Sequence, residues 1–226
     1  MPFIALENEE IDNLAARFVY ESNLIEEVDK AFGTIVIELK NERKTGHVGA
    51  LLFLERAILL RKRFTERVLK ACQARIILEQ NLWLGARHGD SFYVPKCGIG
   101  NYRKYDIFIG TRRVETKAGN VELAMNNLVS DIRSFITENT RHEYDTRMDW
   151  LVKPISDFHY RFEEIHPFID GNGRAGRLLV WYLMRYFGLR PFVFECGERR
   201  EKVSEYYDAF RSQEAMRKYF KTRYQQ

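Results

Sequence analysis

His166-Pro167-Phe168-Ile169-Asp170-Gly171-Asn172-Gly173-Arg174-Ala175-Gly176-Arg177 decides how the rest of the chain is read. Upstream, Pro154 to Ile165 carries apolar residues at helical spacing, and downstream Leu178-Leu179-Val180-Trp181-Tyr182-Leu183 resumes the apolar pattern. A proline and two glycines between them break helix continuity, so the pattern predicts two helices joined by a short polar loop. The second is predicted over Arg174 to Phe187, with Gly188 as its left-handed terminator and Pro191 shortly beyond.

Working outward, further helices are predicted at Ile11 to Val28, Val121 to Thr137 and Glu198 to Tyr219. Between His47 and Trp83, Val48, Leu51, Leu52, Ile58, Phe64, Val68 and Cys72 recur at three- and four-residue steps, which predicts one amphipathic helix or two in series. Arg61, Lys62, Arg63, Arg67 and Lys70 accompany Glu55 and Glu66 there and read as a solvated face. Only Ser91 to Asn120 departs from helical period: Phe92, Tyr93 and Val94, then Tyr105, Ile107 and Ile109, alternate as in a hairpin. The predicted class is mainly α, a helical bundle with a small β-hairpin.

With 226 residues, 45% hydrophobic and 14% aromatic, the chain has the content of one compact domain and is too apolar to be disordered. Its 36 basic and 32 acidic residues leave a net charge of +4 with both signs interspersed, which argues against a nucleic-acid partner. Cys72, Cys97 and Cys196 show no CxxC spacing, so neither a disulfide framework nor a structural zinc site is expected. The acidic start, Met1 to Glu10, lacks a signal-peptide pattern, and the apolar run Leu178 to Met184 falls far short of the roughly 20 residues of a membrane span. A cytoplasmic protein without membrane association is the expectation.

The loop has chemistry to offer. Gly171 and Gly173 let amides around Asn172 converge at a helix N-terminus, where the dipole favours an anion. Arg174 and Arg177, three residues apart, share one face and suit a polyphosphate. Asp170 suits Mg²⁺, which takes one or two carboxylates and fills its other positions with phosphate oxygens and water. His166 at the other lip can accept a proton near neutral pH. Together these groups describe attack by a hydroxyl on a nucleotide phosphate. Gly171-x-Gly173-x-x-Gly176 also fits the dinucleotide fingerprint, but no strand precedes it, and there is no P-loop motif. A plain glycine turn with solvated arginines accounts for any three of these residues, but not for all of them together.

His166 to Arg177 resembles the Fic family signature HPFx[D/E]GNGRxxR at every specified position. His159-x-x-Phe162-Glu163-x-Ile165 and Gly100-x-Tyr102-Arg103 are similar to the family's lead-in to the motif and to the stretch opening its flap, and Arg200 to Phe210 resembles its following helix. The resemblance implies a Fic fold in a single domain over 1–226: an N-terminal segment over 1–46, additional helices over 47–99 and the core over 100–226. It implies transfer of AMP from Mg²⁺-ATP to a Tyr, Ser or Thr hydroxyl of a target protein, with self-modification and homodimer formation as further expectations. His166 would be the base and Asp170 the Mg²⁺ ligand. Gly171, Asn172 and Gly173 would form the anion hole, Arg174 and Arg177 would grip the β- and γ-phosphates, and Tyr207 would contact adenine. The hairpin at Ile107, Phe108, Ile109 and Gly110 would clamp the target by strand addition. Gly173 argues against the phosphorylating branch, which has Lys there; UMP and phosphocholine transfer use the same core. A silent nucleotide-binding module and a de-AMPylating hydrolase are the alternatives.

Ser22-Asn23-Leu24-Ile25-Glu26-Glu27 resembles the family's inhibitory motif [S/T]xxxE[G/N]. By that resemblance Glu26 pairs with Arg177 and occupies the place the γ-phosphate needs. Glu27 stands where Gly or Asn is usual, so the local helix end is expected to differ. His159 reads as a packing residue rather than a metal ligand, and His47, His88 and His142 have no partners by spacing. Trp83, Trp150 and Trp181 are expected in the core, and Cys97 is expected to be accessible.

Overall fold

The computed structural model describes residues 8–86, 94–139, 149–195 and 200–225. Among these the chain runs α1 (Asn8–Ile25), α2 (Phe32–Lys40), α3 (Gly46–Leu59), α4 (Glu66–Ala86), β1 (Phe108–Ile109), β2 (Arg112–Arg113), α5 (Val121–Asn139), α6 (Asp149–Ile165), α7 (Asn172–Tyr186), α8 (Arg200–Asp208) and α9 (Gln213–Tyr224). The mainly α class with one hairpin is as expected. No helix of the described residues is long and apolar enough to cross a membrane.

The helix that follows the glycine loop is the central beam. From Leu178 to Arg185 every residue of α7 is buried, because α1, α3, α4 and α6 all pack on it. A helix apolar almost all round requires such an environment. It stops at Gly188, with φ +74°, where Leu189 N–H bonds Met184 O at 2.8 Å and Gly188 N–H bonds Arg185 O at 3.1 Å. This is the left-handed closure predicted for that glycine. Of the predicted stripe, Val48, Leu51, Ile58, Val68 and Cys72 are buried on two helices in series and Phe64 is buried in the link between them, while Leu52 is half-buried.

Several boundaries differ from expectation. Helix α2 was not predicted. The segment predicted as one helix over Glu198 to Tyr219 is broken by a 3₁₀ turn at Ala209–Arg211, after which Ser212 Oγ caps α9 by accepting Ala215 N–H at 3.1 Å. The hairpin is shorter than predicted: Phe108 pairs with Arg113 and Ile109 with Arg112 across a turn opened by Gly110 at φ +58°. Val94 takes no part in it, its main chain being held on both sides by the Asn81 carboxamide. Phe92, Tyr93, His88, His142 and Cys196 lie outside the described residues, as does the side chain of Trp83.

Trp181 is core, but Trp150 is 49% exposed. Helix α6 turns Leu151, Ile155, Phe158 and Phe162 inward, which leaves Trp150 on the outer stripe with Lys153 and Arg161. His47 does have a partner: it is buried, and its Nδ1 lies 3.0 Å from Asn23 Oδ1. His159 is buried among aromatic rings with Nε2 3.0 Å from Tyr206 Oη, and burial pushes its imidazole down to about 3. Cys97 is exposed, and Cys72 is buried with its thiol pushed up to about 12.

Candidate functional site

The loop before α7 is fixed from within. Asn172 turns its carboxamide back onto Phe168, accepting that residue's N–H at 2.8 Å and donating to its carbonyl at 2.9 Å. Gly171, at φ +79°, then enters α7, and a side chain there would press on Ile76 and Ile77 of α4. The first amides of α7 therefore meet a cleft of about 310 Å³ lined by Glu26, His166, Asp170, Gly173, Arg177 and Tyr207.

His166 terminates α6 in the left-handed region, at φ +47°, strained for a residue with a side chain. Arg103 accounts for its persistence. This buried side chain donates from Nε to His166 O at 2.8 Å and from Nη2 to Ile165 O at 3.2 Å, while its own N–H bonds Pro167 O at 2.8 Å. The same guanidinium reaches Tyr105 O and Thr116 O on the two arms leading into the hairpin. His166 Nδ1 lies 3.3 Å from Glu163 O. A carbonyl only accepts, so Nδ1 carries the proton and Nε2 keeps its lone pair. Burial pushes this imidazole down to about 4, so it is neutral at pH 7 and able to take a proton. Beside it, Glu163 is pushed up to about 8 by burial, and its Oε1 has no hydrogen-bond partner among the described residues.

Arg177 is wholly buried and fully committed. Its Nε donates to Ser22 Oγ at 2.7 Å, its Nη2 to Ser22 O at 3.1 Å and to Glu26 Oε1 at 2.6 Å, and its Nη1 to Tyr206 Oη at 3.4 Å. Burial pulls the Glu26 carboxyl up, but the charges of Arg177 and Arg174 outweigh it and leave Glu26 below its ordinary range. A side chain at position 173 would meet Glu26 Oε1 and force that carboxylate to shift from its present place. Glu27 does not alter the helix end as expected. It adopts φ +56°, and Val28 N–H bonds Asn23 O at 2.9 Å while Glu27 N–H bonds Leu24 O at 3.1 Å, the closure a glycine would make.

Asp170 and Arg174 form a long ion pair, Arg174 Nη2 standing 3.8 Å from Asp170 Oδ1, and Asp170 Oδ1 also accepts the Gly171 N–H. Gln80 of α4 bridges them, donating from Nε2 to Asp170 Oδ2 at 2.5 Å and accepting Arg174 Nη2 at 2.7 Å. One turn-pair earlier on the same helix face, Gln73 donates to Asp170 O at 3.1 Å and accepts Gly100 N–H at 2.6 Å. Asp170 borders the cleft with its side chain 29% exposed, whereas Arg174 is buried behind it. One cleft-facing carboxylate fits a Mg²⁺ ion whose remaining ligands are phosphate oxygens and water. No cluster of three or more His, Cys, Asp or Glu able to hold a metal by itself occurs among the described residues.

Tyr207, 52% exposed, borders the cleft and donates to Ile25 O at 3.4 Å. Of the hairpin residues singled out in the sequence, Ile109 lines the cleft; Ile107, Phe108 and Gly110 do not, and Phe108 is exposed. Sequence reasoning missed Gln73, Gln80 and Tyr206 as members of this constellation and gave Arg103 and Glu163 no role. The available signal for the glutamines was two amides, seven residues apart, on a helix face otherwise apolar at Ile76 and Ile77.

Comparison with known proteins falls on the same elements. The model of the Fic/DOC family matches residues 65–184, just over half the chain, including α4, the hairpin and the loop into α7. A probable protein adenylyltransferase of Aquifex aeolicus (strain VF5) is 32% identical over 142 residues, 62% of this chain and 38% of that protein. The protein adenylyltransferase Fic of Drosophila grimshawi is 45% identical over 108 residues, 48% of this chain and 20% of that protein. This chain thus spans well under half the length of either relative. Among solved structures, a Fic domain-containing signaling protein of Bacteroides thetaiotaomicron superposes with a TM-score of 0.71 at 18% identity, covering 98% of this chain and 89% of that one. Fic-1 of C. elegans, residues 134–508, gives 0.63 at 16% identity over 98% of this chain and 65% of that one. The structural neighbours share the fold, and the family match contains the whole of His166 to Arg177: the chain belongs to the Fic/DOC family.

Proposed function

We propose that this chain transfers AMP from ATP to a hydroxyl of a target protein, in the cytoplasm, and that Glu26 restrains it. The observation that carries the reading is the meeting in one cleft of a neutral imidazole with a free Nε2, the amide-bearing start of α7, and an arginine already holding a carboxylate. The names of the relatives support the transferase reading.

In this reading His166 Nε2 takes the proton of the target hydroxyl as its oxygen forms a bond to the α-phosphorus, and the bond from that phosphorus to the bridging oxygen breaks. Pyrophosphate leaves. The amides of Asn172 and Gly173 would stabilise the phosphate oxygens at the positive end of α7, whereas the Gly171 N–H expected to join them is donated to Asp170 Oδ1; this is positioning and charge stabilisation rather than covalent chemistry. Asp170 would hold Mg²⁺, which supplies charge neutralisation on the phosphates. Arg177 would grip the γ-phosphate once Glu26 has left it, Arg174 the β-phosphate, and Tyr207 would flank adenine. The hairpin around Ile109 would take the target backbone as an added strand.

The test is labelling in a lysate with ATP carrying label at the α or the γ position, using the wild-type chain, Glu26→Gly and His166→Ala. Transfer of α label alone, raised by Glu26→Gly and abolished by His166→Ala, is expected. Transfer of γ label would make it a kinase, ATP binding without transfer a silent module, and release of AMP from labelled protein a hydrolase; each overturns the reading. Labelling unchanged by Glu26→Gly would remove the brake alone.

A further inference from the structure

We infer that Gln80 is a positioning residue that bridges Asp170 and Arg174, limits their ion pair to a long contact and so keeps both available to phosphate. The inference rests on the nucleotide reading above, but its carrying observation is separate. Asp170, just before α7, and Arg174, in its first turn, are opposite charges four residues apart. Their ion pair is a long one, 3.8 Å from Arg174 Nη2 to Asp170 Oδ1, and the Gln80 carboxamide bonds both partners, at Asp170 Oδ2 and Arg174 Nη2, while Gly171 N–H holds Oδ1.

The chemistry of the bridge is specific. A carboxylate only accepts and a guanidinium only donates, so one side chain that touches both must donate to the first and accept from the second. Neutral Gln does this with one amide whose orientation is fixed by its two partners. Glu at this position would attract Arg174 and repel Asp170; Lys would do the reverse; Leu would touch neither. Without the bridge the two charges close on each other, the carboxylate loses its lone pairs to the guanidinium, and both are lost to an incoming nucleotide.

Helix α4 is well placed to enforce this. Gln73, Ile76, Ile77 and Gln80 form one face, with the two isoleucines against Gly171 and Gln73 tying Asp170 O to Gly100 N–H. The loop that binds phosphate in the proposed reaction is therefore backed by an element outside its own motif, and Gln80 is the member of that face that reaches the charged side chains.

The experiment uses the full chain carrying Glu26→Gly, so that the cleft is open, and measures nucleotide binding by calorimetry without turnover. Three probes are compared: AMP with EDTA, ADP with EDTA, and ATP titrated with Mg²⁺. Gln80→Leu is expected to weaken ADP roughly tenfold or more and to raise the Mg²⁺ concentration that half-saturates the effect on ATP, while AMP is unchanged. Gln80→Glu should act in the same direction and Gln80→Asn, one methylene shorter, should recover part of the loss. Combined with Arg174→Ala, Gln80→Leu should add little to the ADP loss, because the two act through one contact. Equal weakening of all three probes, or none of ADP and Mg²⁺-ATP, overturns the inference. If Asp170→Asn leaves the Mg²⁺ dependence untouched, the metal reading fails by itself and Gln80 is judged on ADP. If Gln80→Leu does not fold, Gln80→Glu and Gln80→Asn decide between the same outcomes.

Discussion

Removal of the Glu26 carboxylate should free Arg177 for triphosphates and leave monophosphates unaffected. Arg177 has no exposed surface, so any anion reaching it must come through the space Glu26 Oε1 now fills, 2.6 Å from Nη2. Breaking one side of a fully buried ion pair costs about 3–5 kcal/mol. Here the Glu26 side chain is 24% exposed and Arg177 keeps both bonds to Ser22, so about 2 kcal/mol is the reasonable figure. At 1.4 kcal/mol per decade, that is roughly thirtyfold in affinity for ATP. AMP carries no γ-phosphate and should bind alike to both forms. The same pair holds α1 on α7, so nucleotide-free Glu26→Gly should melt about 4–8 °C lower, with the gap narrowing under saturating Mg²⁺-ATP. Calorimetric titration in a His166→Ala background, where the proposed chemistry is blocked, gives the affinities. Tightening of AMP as much as ATP, or an ATP affinity unchanged within about twofold, would refute the competition between carboxylate and γ-phosphate.

With His166 held near 4 by burial, the acid limb of kcat/KM for Glu26→Gly should fall well below pH 6, with a flat profile from about pH 5.5 to 8; a limb centred at 6–7 contradicts the burial argument. Glu163 holds a proton in the folded chain up to about 8 that the unfolded chain releases near its ordinary 4.5, so this group's contribution to stability falls as pH rises between those values. The urea midpoint of Glu163→Gln should therefore gain on wild type from pH 5 to 8, and parallel curves would contradict a protonated Glu163. Glu27→Gly should relieve a left-handed side-chain-bearing residue and stabilise by about 1 kcal/mol, read as a rise of about 2–4 °C in Tm. Arg103→Met strands the carbonyls that its guanidinium satisfies and should cost on the order of 3 kcal/mol in urea unfolding, with Arg103→Lys intermediate.

The motif was legible because its chemistry is local: a broken helix, two glycines and two arginines within twelve residues announce a loop that opens a helix. Gly188 was legible for the same reason, whereas Ser22 with Glu26 was legible only through its resemblance to the family's inhibitory motif. What escaped was long-range or degenerate. Gln80 is 90 residues from Asp170 along the chain, and no spacing rule links an amide on α4 to a carboxylate before α7. Trp150 follows the phase of α6, which one residue's error inverts. The hairpin's alternation extended through Val94 only because a buried loop residue and a strand residue look alike in sequence. Ser212 carried its signal openly, a capping side chain inside a run of helix formers, and the strong period on both sides concealed it.

Arg103 gives the cleft a common origin of measurement. Its one guanidinium touches the carbonyls of Ile165 and His166 and those of Tyr105 and Thr116, so the base and the root of the hairpin are located from a single point. In the proposed reaction a strand laid along the hairpin would inherit that origin, and its register would set which of its residues faces Nε2.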